Sequence, residues 1–260
     1  MPDKVDPPHA TGLAAQTVEA HSAANDLVFH AGWFCPFVQR VWIALEEKGT
    51  PYQYKEVNPY AKEPHFLKVN PKGLVPAIEY KGEALYESLV LLDFLEALPS
   101  STSPLLPSDP LEAGRVRLAT LQISNIVVPS FYKLLQAQEP AAQDEAREAF
   151  VKALKDVVEQ WFLPGDQGEG EGWARSQFGW VEVALAPWVV RLYLLEQHRG
   201  FRTEEVGERF VRWAEKVSAR DSVKRTSSEE WAYESSYERY LTNTAESEVA
   251  KATRKGEWLK

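Results

Sequence analysis

The chain has 260 residues, of which 44% are hydrophobic and 26% charged, and its formal net charge is −9. This composition is typical of a globular protein, and the acidic balance argues against nucleic acid as a general partner, while no apolar run approaches the roughly 20 residues that span a bilayer. The one cysteine excludes an internal disulfide and a cysteine metal cluster, so we expect a reducing, cytoplasmic location and no metal site.

The N-terminal part of the chain divides into a tail and an α/β segment. Residues 1–26 lack both the basic start and the apolar stretch of a secretion signal, and they predict a poorly ordered tail. Residues 27–98 alternate strand-like and helix-like segments, which indicates an α/β domain. The elements predicted there are strands at 27–30, 52–57, 75–80 and 84–86, and helices at 37–48 and 89–98.

The chain changes character after residue 98. Residues 99–110 contain four prolines, so no helix can run through them and they predict a linker. Residues 111–260 carry helical patterns, which predicts an all-helical domain. Its expected helices lie at 111–137, 142–162, about 180–198 and 204–218.

Cys35 lies where the first predicted strand gives way to a helix. Pro36 suits the first helical position, which places Cys35 at or beside the N-cap, close to unsatisfied amides and the positive end of the helix dipole. Such placements stabilise a thiolate, the reactive form of cysteine. The alternative is a buried, inert cysteine. Val38 stands where a CxxC enzyme has its second cysteine, so a disulfide formed by Cys35 needs an external thiol such as glutathione to resolve it.

Three motifs carry a family resemblance. The sequences Cys35-Pro36-Phe37-x-x-Arg40, Asn70-Pro-Lys-Gly-Leu-Val-Pro76 and Glu87-Ser88 resemble, in order and spacing, the glutathione-binding domain of glutathione transferases. The cysteine resembles the omega class and its fungal relatives. The resemblance implies the glutathione transferase fold, with a thioredoxin-like α/β N-terminal domain and an all-α C-terminal domain. It also implies that the residues binding glutathione are Phe37, Lys62, Val75, Pro76, Glu87 and Ser88. In the C-terminal domain it implies a capping box with Glu182 as its acidic residue and Gly179 at the N-cap.

The implied roles in glutathione binding differ in chemistry. A cis Val75-Pro76 peptide would offer backbone groups to the bound tripeptide, Glu87 would pair with its α-ammonium group, and Ser88 would cap a helix and hold a carboxylate. Lys62 would meet the glycyl carboxylate, although Glu63 stands where animal omega enzymes place the lysine. Each position also has an ordinary interpretation: an edge-strand proline, a helix cap with a solvated glutamate, or a solvated lysine.

An acceptor pocket is predicted from aromatic residues and one arginine. Trp188 and Arg191 are three apart on a predicted helix, hence on one face, and by resemblance to omega enzymes they could line the electrophile site. Trp33 and Phe34 flank the cysteine and could add an apolar wall. The alternative is that the aromatic side chains belong to the core and Arg191 is solvated.

The leading hypothesis is a cysteine-type glutathione transferase that acts as a thiol transferase and deglutathionylating reductase through a Cys35–glutathione mixed disulfide. Dehydroascorbate reduction fits the same chemistry. The alternatives are a conjugating or ether-cleaving transferase of secondary metabolism and a non-catalytic glutathione-binding regulator. The expected partners are glutathione as co-substrate and a small electrophilic or disulfide substrate, and the resemblance implies a homodimer.

Overall fold

The computed structural model describes residues 6–58, 61, 63–99, 102, 104–161 and 177–257. The chain divides into two compact units. The first, which we call the thioredoxin-like unit, comprises Lys4–Leu106 and Arg220–Ser236. The second, the helical unit, comprises Pro107–Ala219 and Tyr237–Lys260. The boundary at Leu106 falls within the segment that the prolines predict as a linker.

The secondary structure follows the two-part pattern of the sequence. The strands are β1 (Leu27–Ala31), β2 (Gln53–Glu56), β3 (Ala77–Tyr80) and β4 (Glu83–Tyr86). The helices are α1 (Gly12–Ala20), α2 (Pro36–Lys48), α3 (Pro64–Val69), α4 (Ser88–Ala97), α5 (Pro110–Gln122), α6 (Val128–Gln136), α7 (Pro140–Trp161), α8 (Trp180–Val189), α9 (Leu192–Arg199), α10 (Glu208–Ala219), α11 (Asp221–Arg225), α12 (Glu230–Leu241) and α13 (Glu248–Arg254). A π-helical turn, Ile123–Val127, separates α5 from α6, and a 3-10 turn, Thr203–Glu205, precedes α10.

The four strands form one mixed sheet in the order β2-β1-β3-β4. β1 is parallel to β2 and antiparallel to β3, and β3 pairs antiparallel with β4. Lys81 and Gly82 connect the β3–β4 hairpin, and both have positive φ, as a two-residue type I′ turn requires. The predicted fold class, a small α/β domain with an all-helical one, is confirmed.

α2 is buried on nearly all sides because helices from distant parts of the chain cover it. It contacts α4 and α11. On its last turns, Glu47 accepts two hydrogen bonds from the Arg220 guanidinium, at 2.8 and 2.9 Å, and Glu46 pairs with Arg225 at 3.0 Å. These complementary charges explain why Arg220–Ser236 belongs with the thioredoxin-like unit, whereas the sequence predicts an all-helical domain over 111–260.

The N-terminal segment differs from the expected poorly ordered tail. α1 contacts α11, and the Thr17 hydroxyl donates to the Arg225 carbonyl oxygen at 2.8 Å. Thr11 exchanges two hydrogen bonds with the C-terminal segment, since its amide donates to the Ser228 hydroxyl at 3.1 Å and its hydroxyl accepts from the Glu229 amide at 2.9 Å. The segment from residue 6 onward is therefore ordered by the returning end of the chain.

The helical unit contains two helices that a proline modifies. The single helix predicted over 111–137 is interrupted by the π-helical turn just before Pro129, a residue that cannot donate a backbone hydrogen bond. At the start of α8 the predicted cap is confirmed, since the Gly179 amide donates to Glu182 at 3.0 Å. The other Glu182 oxygen accepts from the Trp213 indole at 3.2 Å, which ties α8 to α10.

Candidate functional site

Cys35 is the N-cap residue of α2, with φ −83° and ψ 119°. Its amide donates to the Gly32 carbonyl oxygen at 2.9 Å, which closes the turn from β1 into the helix. Pro36 occupies the first helical position and has no N–H, so the amides of Phe37 and Val38 are those that the first turn offers to an anion. The side chain is half-buried. Cys35 is therefore partly accessible and lies at the positive end of the α2 dipole.

The turn before β3 brings a second backbone segment to Cys35. The Cys35 sulfur lies 3.8 Å from the Val75 carbonyl oxygen, and the Val75–Pro76 peptide is cis, as the resemblance implies. Asn70 fixes this turn, since its side-chain amide donates to the Leu74 carbonyl oxygen at 2.7 Å and its side-chain oxygen accepts from the Lys72 amide at 3.0 Å. Cys35 and Val75 are therefore neighbours in one site.

Glu87 has an unusual backbone conformation at the start of α4. Its φ is +75° and its ψ 116°, values that a non-glycine residue adopts only at a cost of about 1–3 kcal/mol and that occur most often at functional sites. The helix begins at Ser88, so the N-cap is Glu87, one residue earlier than the predicted cap. Ser88 is buried at the first helical position.

Lys72, in the turn before β3, forms an ion pair with Glu87 at the start of α4. Its ammonium group lies 2.9 Å from a Glu87 carboxylate oxygen, and this hydrogen bond raises the pKa of Lys72. Both side chains are about half exposed, at 47% and 57%, so the ion pair is readily exchanged with other partners. The Glu87 carboxylate thus already binds an ammonium group in the protein. No feature of the sequence predicted that Lys72 would pair with Glu87.

The other predicted glutathione ligands have different surroundings. Phe37 is half-buried, with the Arg40 guanidinium 5.5 Å from its ring centroid. Lys62 lies outside the described residues. α3, a short helix that the sequence did not predict, follows directly and packs through Phe66 and Val69 in an apolar cluster with Ala77.

The two aromatic residues before Cys35 pack within their own unit. Trp33 is 1% exposed, and its indole N–H donates to the Pro7 carbonyl oxygen at 3.2 Å. Its ring lies edge-on to Phe34 at 5.9 Å and 5.7 Å from the Tyr233 ring. Phe34 is also buried. These side chains support the Cys35 turn from the side of the terminal segments.

Trp188 and Arg191 do not share a helix, contrary to the sequence prediction. α8 ends at Val189, two residues after Pro187, whose missing N–H weakens the last turn, and Arg191 is the N-cap residue of α9. Both side chains are fully buried in the helical unit. The Arg191 guanidinium donates back to the Pro187 carbonyl oxygen and lies 5.8 Å from the Tyr237 ring centroid. Arg191 therefore caps the end of α8, which differs from the solvated side chain considered above.

A half-buried carboxyl group lies at the Cys35 turn, and no feature of the sequence predicted it. Glu56, the last residue of β2, accepts a hydrogen bond from the Trp33 amide at 3.4 Å. Burial raises the pKa of Glu56 to about 7, and the Trp33 hydrogen bond opposes this only in part. Glu56 therefore changes charge near neutral pH.

Metal sites and membrane-spanning helices are both absent from the part of the chain that the structure describes. Across the described ranges, no group of three or more His, Cys, Asp or Glu side chains is arranged to hold a metal ion. Nor does any helix in that part of the chain combine the length and the apolar character needed to cross a membrane.

The fold and the site together define a protein with a thioredoxin-like unit, a cysteine at the N-cap of the helix that follows its first strand, and a separate helical unit. A family model described as the glutathione S-transferase N-terminal domain matches residues 34–98. The probable glutathione S-transferase GSTU1 of Oryza sativa subsp. japonica is 30% identical over 210 residues, which are 76% of this chain and 88% of that protein. The chain therefore belongs to the glutathione transferase family.

Two solved structures place the chain more closely within that family. Glutathione transferase Omega 3C from Trametes versicolor is 52% identical, with a TM-score of 0.80 and coverage of 85% of this chain and 98% of that one. Rice GST1, solved in complex with glutathione, is 28% identical, with a TM-score of 0.71 and coverage of 82% and 96%. The predicted similarity to fungal omega-class enzymes is confirmed. Members of the family use glutathione as co-substrate.

Proposed function

We propose that this glutathione transferase acts as a thiol transferase and deglutathionylating reductase through Cys35. The observation that carries the proposal is that the one cysteine of the chain is the N-cap residue of α2 and is partly accessible. A cysteine in this position is itself a nucleophile. A tyrosine or serine in its place would leave the reaction to the thiol of glutathione.

The reaction runs in two thiol–disulfide exchanges. The Cys35 thiolate attacks the glutathionyl sulfur of a mixed disulfide, the bond to the substrate sulfur breaks, and the substrate leaves as a thiolate that takes a proton from water. The thiolate of a second glutathione then attacks the glutathionyl sulfur on Cys35. Glutathione disulfide leaves, and the Cys35 thiolate is regenerated with no net oxidant consumed. Dehydroascorbate reduction uses the same cysteine.

We assign glutathione binding to Val75, Pro76, Glu87 and Ser88, with Phe37 and Lys62 as further contacts. The Glu87 carboxylate suits the α-ammonium group of the γ-glutamyl end, because it already pairs with the ammonium group of Lys72. Backbone amides near the start of α4 suit the adjacent carboxylate. The single cysteine also fits a reducing compartment, so we propose a cytosolic location.

The test of this function is mass spectrometry after incubation with glutathione disulfide, combined with thiol-transferase assays. We expect one glutathione per chain on Cys35, and loss of both the adduct and the turnover in Cys35→Ser. Glu87→Gln should raise KM for glutathione roughly tenfold, the order of a lost charge-assisted hydrogen bond. The matched control Glu83→Gln, an exposed carboxyl on β4, should leave KM unchanged. Absence of the adduct, or full turnover in Cys35→Ser, would contradict the proposal.

The same variant separates the main alternatives. If the enzyme conjugates glutathione to an electrophile or cleaves an ether, Cys35→Ser will retain or increase that activity while disulfide exchange is low in both proteins. A non-catalytic regulator would bind glutathione and turn over neither class of substrate.

We also infer that the protein is a homodimer that uses the apolar face of α5. Leu111 and Leu118 lie two turns apart on this helix, and Leu121 follows three residues later. These side chains are 64%, 58% and 47% exposed, and together we call them the apolar strip of α5 at the surface of the helical unit. A second copy of the chain is the occupant that the family favours.

A further inference from the structure

Glu56 lies directly beneath the turn that carries Cys35. In the parallel ladder its partner is Ala31, the last residue of β1, and the Val57 amide donates to the Ala31 carbonyl oxygen at 2.7 Å. The chain then continues from Ala31 into the turn, where the Trp33 amide donates to Glu56 at 3.4 Å. One carboxyl group therefore holds the backbone two residues before Cys35.

Tyr54 is a buried neighbour of Glu56 on β2, and its hydroxyl group lies within the electrostatic influence of both Glu56 and Cys35. It is two residues before Glu56 on β2, so both side chains lie on one face of the sheet. Tyr54 is 6% exposed and packs against Phe29 and Trp42, at 5.9 and 4.9 Å between ring centroids. Among the described residues, its hydroxyl has no hydrogen-bond partner.

The surroundings of the Tyr54 hydroxyl place Glu56 and Cys35 within electrostatic reach of the same point. The pKa of Tyr54 is raised well above its usual value, first by burial and then by the charges of Glu56, Tyr52, Tyr233 and Cys35. Tyr52 lies just before β2 and Tyr233 lies on α12. The half-buried Glu56 carboxyl and the Cys35 sulfur therefore both act on one buried hydroxyl group.

We propose that Glu56 is a positioning residue that couples the reactivity of Cys35 to pH. Neutral Glu56 leaves the thiolate undisturbed, whereas ionised Glu56 places a second negative charge beneath the turn. The proposal rests on the proposed function in taking Cys35 as the nucleophile. The new element is that, as the pH rises, the ionisation of Glu56 partly opposes the formation of the Cys35 thiolate.

The sign of the effect follows from like-charge repulsion. As the pH rises through about 7, Glu56 ionises and the free energy of the Cys35 thiolate rises. The two sites then titrate as a coupled pair, so the rate of Cys35 alkylation increases over a wider pH range than a single proton would give. Removal of the charge should restore a single ionisation at lower pH.

The experiment measures the rate of Cys35 alkylation by iodoacetamide, in which the thiolate displaces iodide and forms a thioether, against pH. In Glu56→Gln, which keeps an oxygen acceptor for the Trp33 amide, we expect a one-proton profile. Its midpoint should lie at lower pH, with rates about threefold to tenfold higher between about pH 7, where Glu56 ionises, and the midpoint of the unmodified protein, and with equal rates well below pH 7. Glu83→Gln should match the unmodified protein. Identical profiles for Glu56→Gln and the unmodified protein would overturn the proposal.

A reciprocal measurement uses only the unmodified sequence. If Glu56 destabilises the thiolate, the thiolate must raise the pKa of Glu56 by the same amount. Conversion of Cys35 to its neutral carbamidomethyl thioether should therefore move the Glu56 titration, followed by NMR with labelled glutamate, to lower pH. An unchanged titration would contradict the coupling.

The two proposals fail in different ways. Altered alkylation in Glu56→Gln without a glutathione adduct would contradict only the proposed function. Formation of the adduct with unchanged alkylation would contradict only the role of Glu56.

Discussion

Cys35 takes its chemical character from three features of its surroundings. Cys35 is the N-cap residue of α2, Pro36 fixes the start of that helix, and the Val75 carbonyl oxygen lies 3.8 Å from the sulfur. The positive end of the α2 dipole favours an anion at the N-cap, while the carbonyl accepts a hydrogen bond from the protonated thiol. Under the proposed function, the Cys35 thiol therefore loses its proton without a dedicated base.

Glu56 predicts a pH dependence of stability as well as of reactivity. Burial raises its pKa from 4.5 to about 7, so the folded protein holds this proton more tightly than the unfolded chain does. The resulting stabilisation is fully present below about pH 4.5 and is lost as the pH rises to about 7. At 1.36 kcal/mol for each pKa unit, the difference between 7 and 4.5 gives a contribution of at most about 3 kcal/mol.

The measurement is urea unfolding of the unmodified protein and Glu56→Gln at pH 5 and pH 8. The free energy of unfolding should fall more between these values in the unmodified protein, by up to about 3 kcal/mol. His30 acts in the opposite direction, because burial lowers its pKa and its stabilisation is lost as the pH falls below 6.5. His30 is present in both proteins, so its effect cancels. Equal falls would show that Glu56 is not buried as described.

At the scale of helices and strands, local signals were sufficient for much of the thioredoxin-like unit. The alternating pattern and the Lys81-Gly82 turn predicted the β3–β4 hairpin, and Cys35-Pro36 predicted the start of α2. These features depend on residues close in sequence. α3 was missed because its six residues are too few for a helical period to be recognised.

Prolines explain where helix prediction was wrong in the helical unit. Helical periodicity runs through Pro129 and Pro187, and it predicted continuous helices there. A missing amide has to be accommodated, and the chain does so with the π-helical turn before Pro129 and with the end of α8 after Pro187. For this reason the prediction that Trp188 and Arg191 share one face of a helix was wrong.

At the scale of the whole chain, long-range pairing determined what the sequence could not indicate. Glu47 meets Arg220, which is 173 residues away, and Glu46 meets Arg225. Neither pairing has a local signature, so both ends of the chain were assigned on composition alone. The environment of Glu56 was not predicted for a related reason. The local sequence around a glutamate in a short strand does not indicate that a distant turn will cover it.

The proposed homodimer predicts a specific response to charge at one surface position. Leu118→Lys places an ammonium group in the centre of the apolar strip on α5, where burial against a second copy would be costly. Light scattering should give the mass of two chains for the unmodified protein and of one chain for the variant. The control Leu13→Lys, at an exposed leucine on α1, should remain dimeric. A monomeric unmodified protein, or a dimeric Leu118→Lys, would contradict the assignment.

The ionisation of Cys35 is the claim on which the account depends most. Ultraviolet titration of thiolate absorbance, with Cys35→Ser subtracted, measures it directly because the chain has one cysteine. We predict a midpoint below the ordinary cysteine value of about 8.5, with part of the sulfur already ionised at neutral pH. A midpoint at or above that value would contradict the account, since the first turn of α2 would then give the sulfur no stabilisation as an anion.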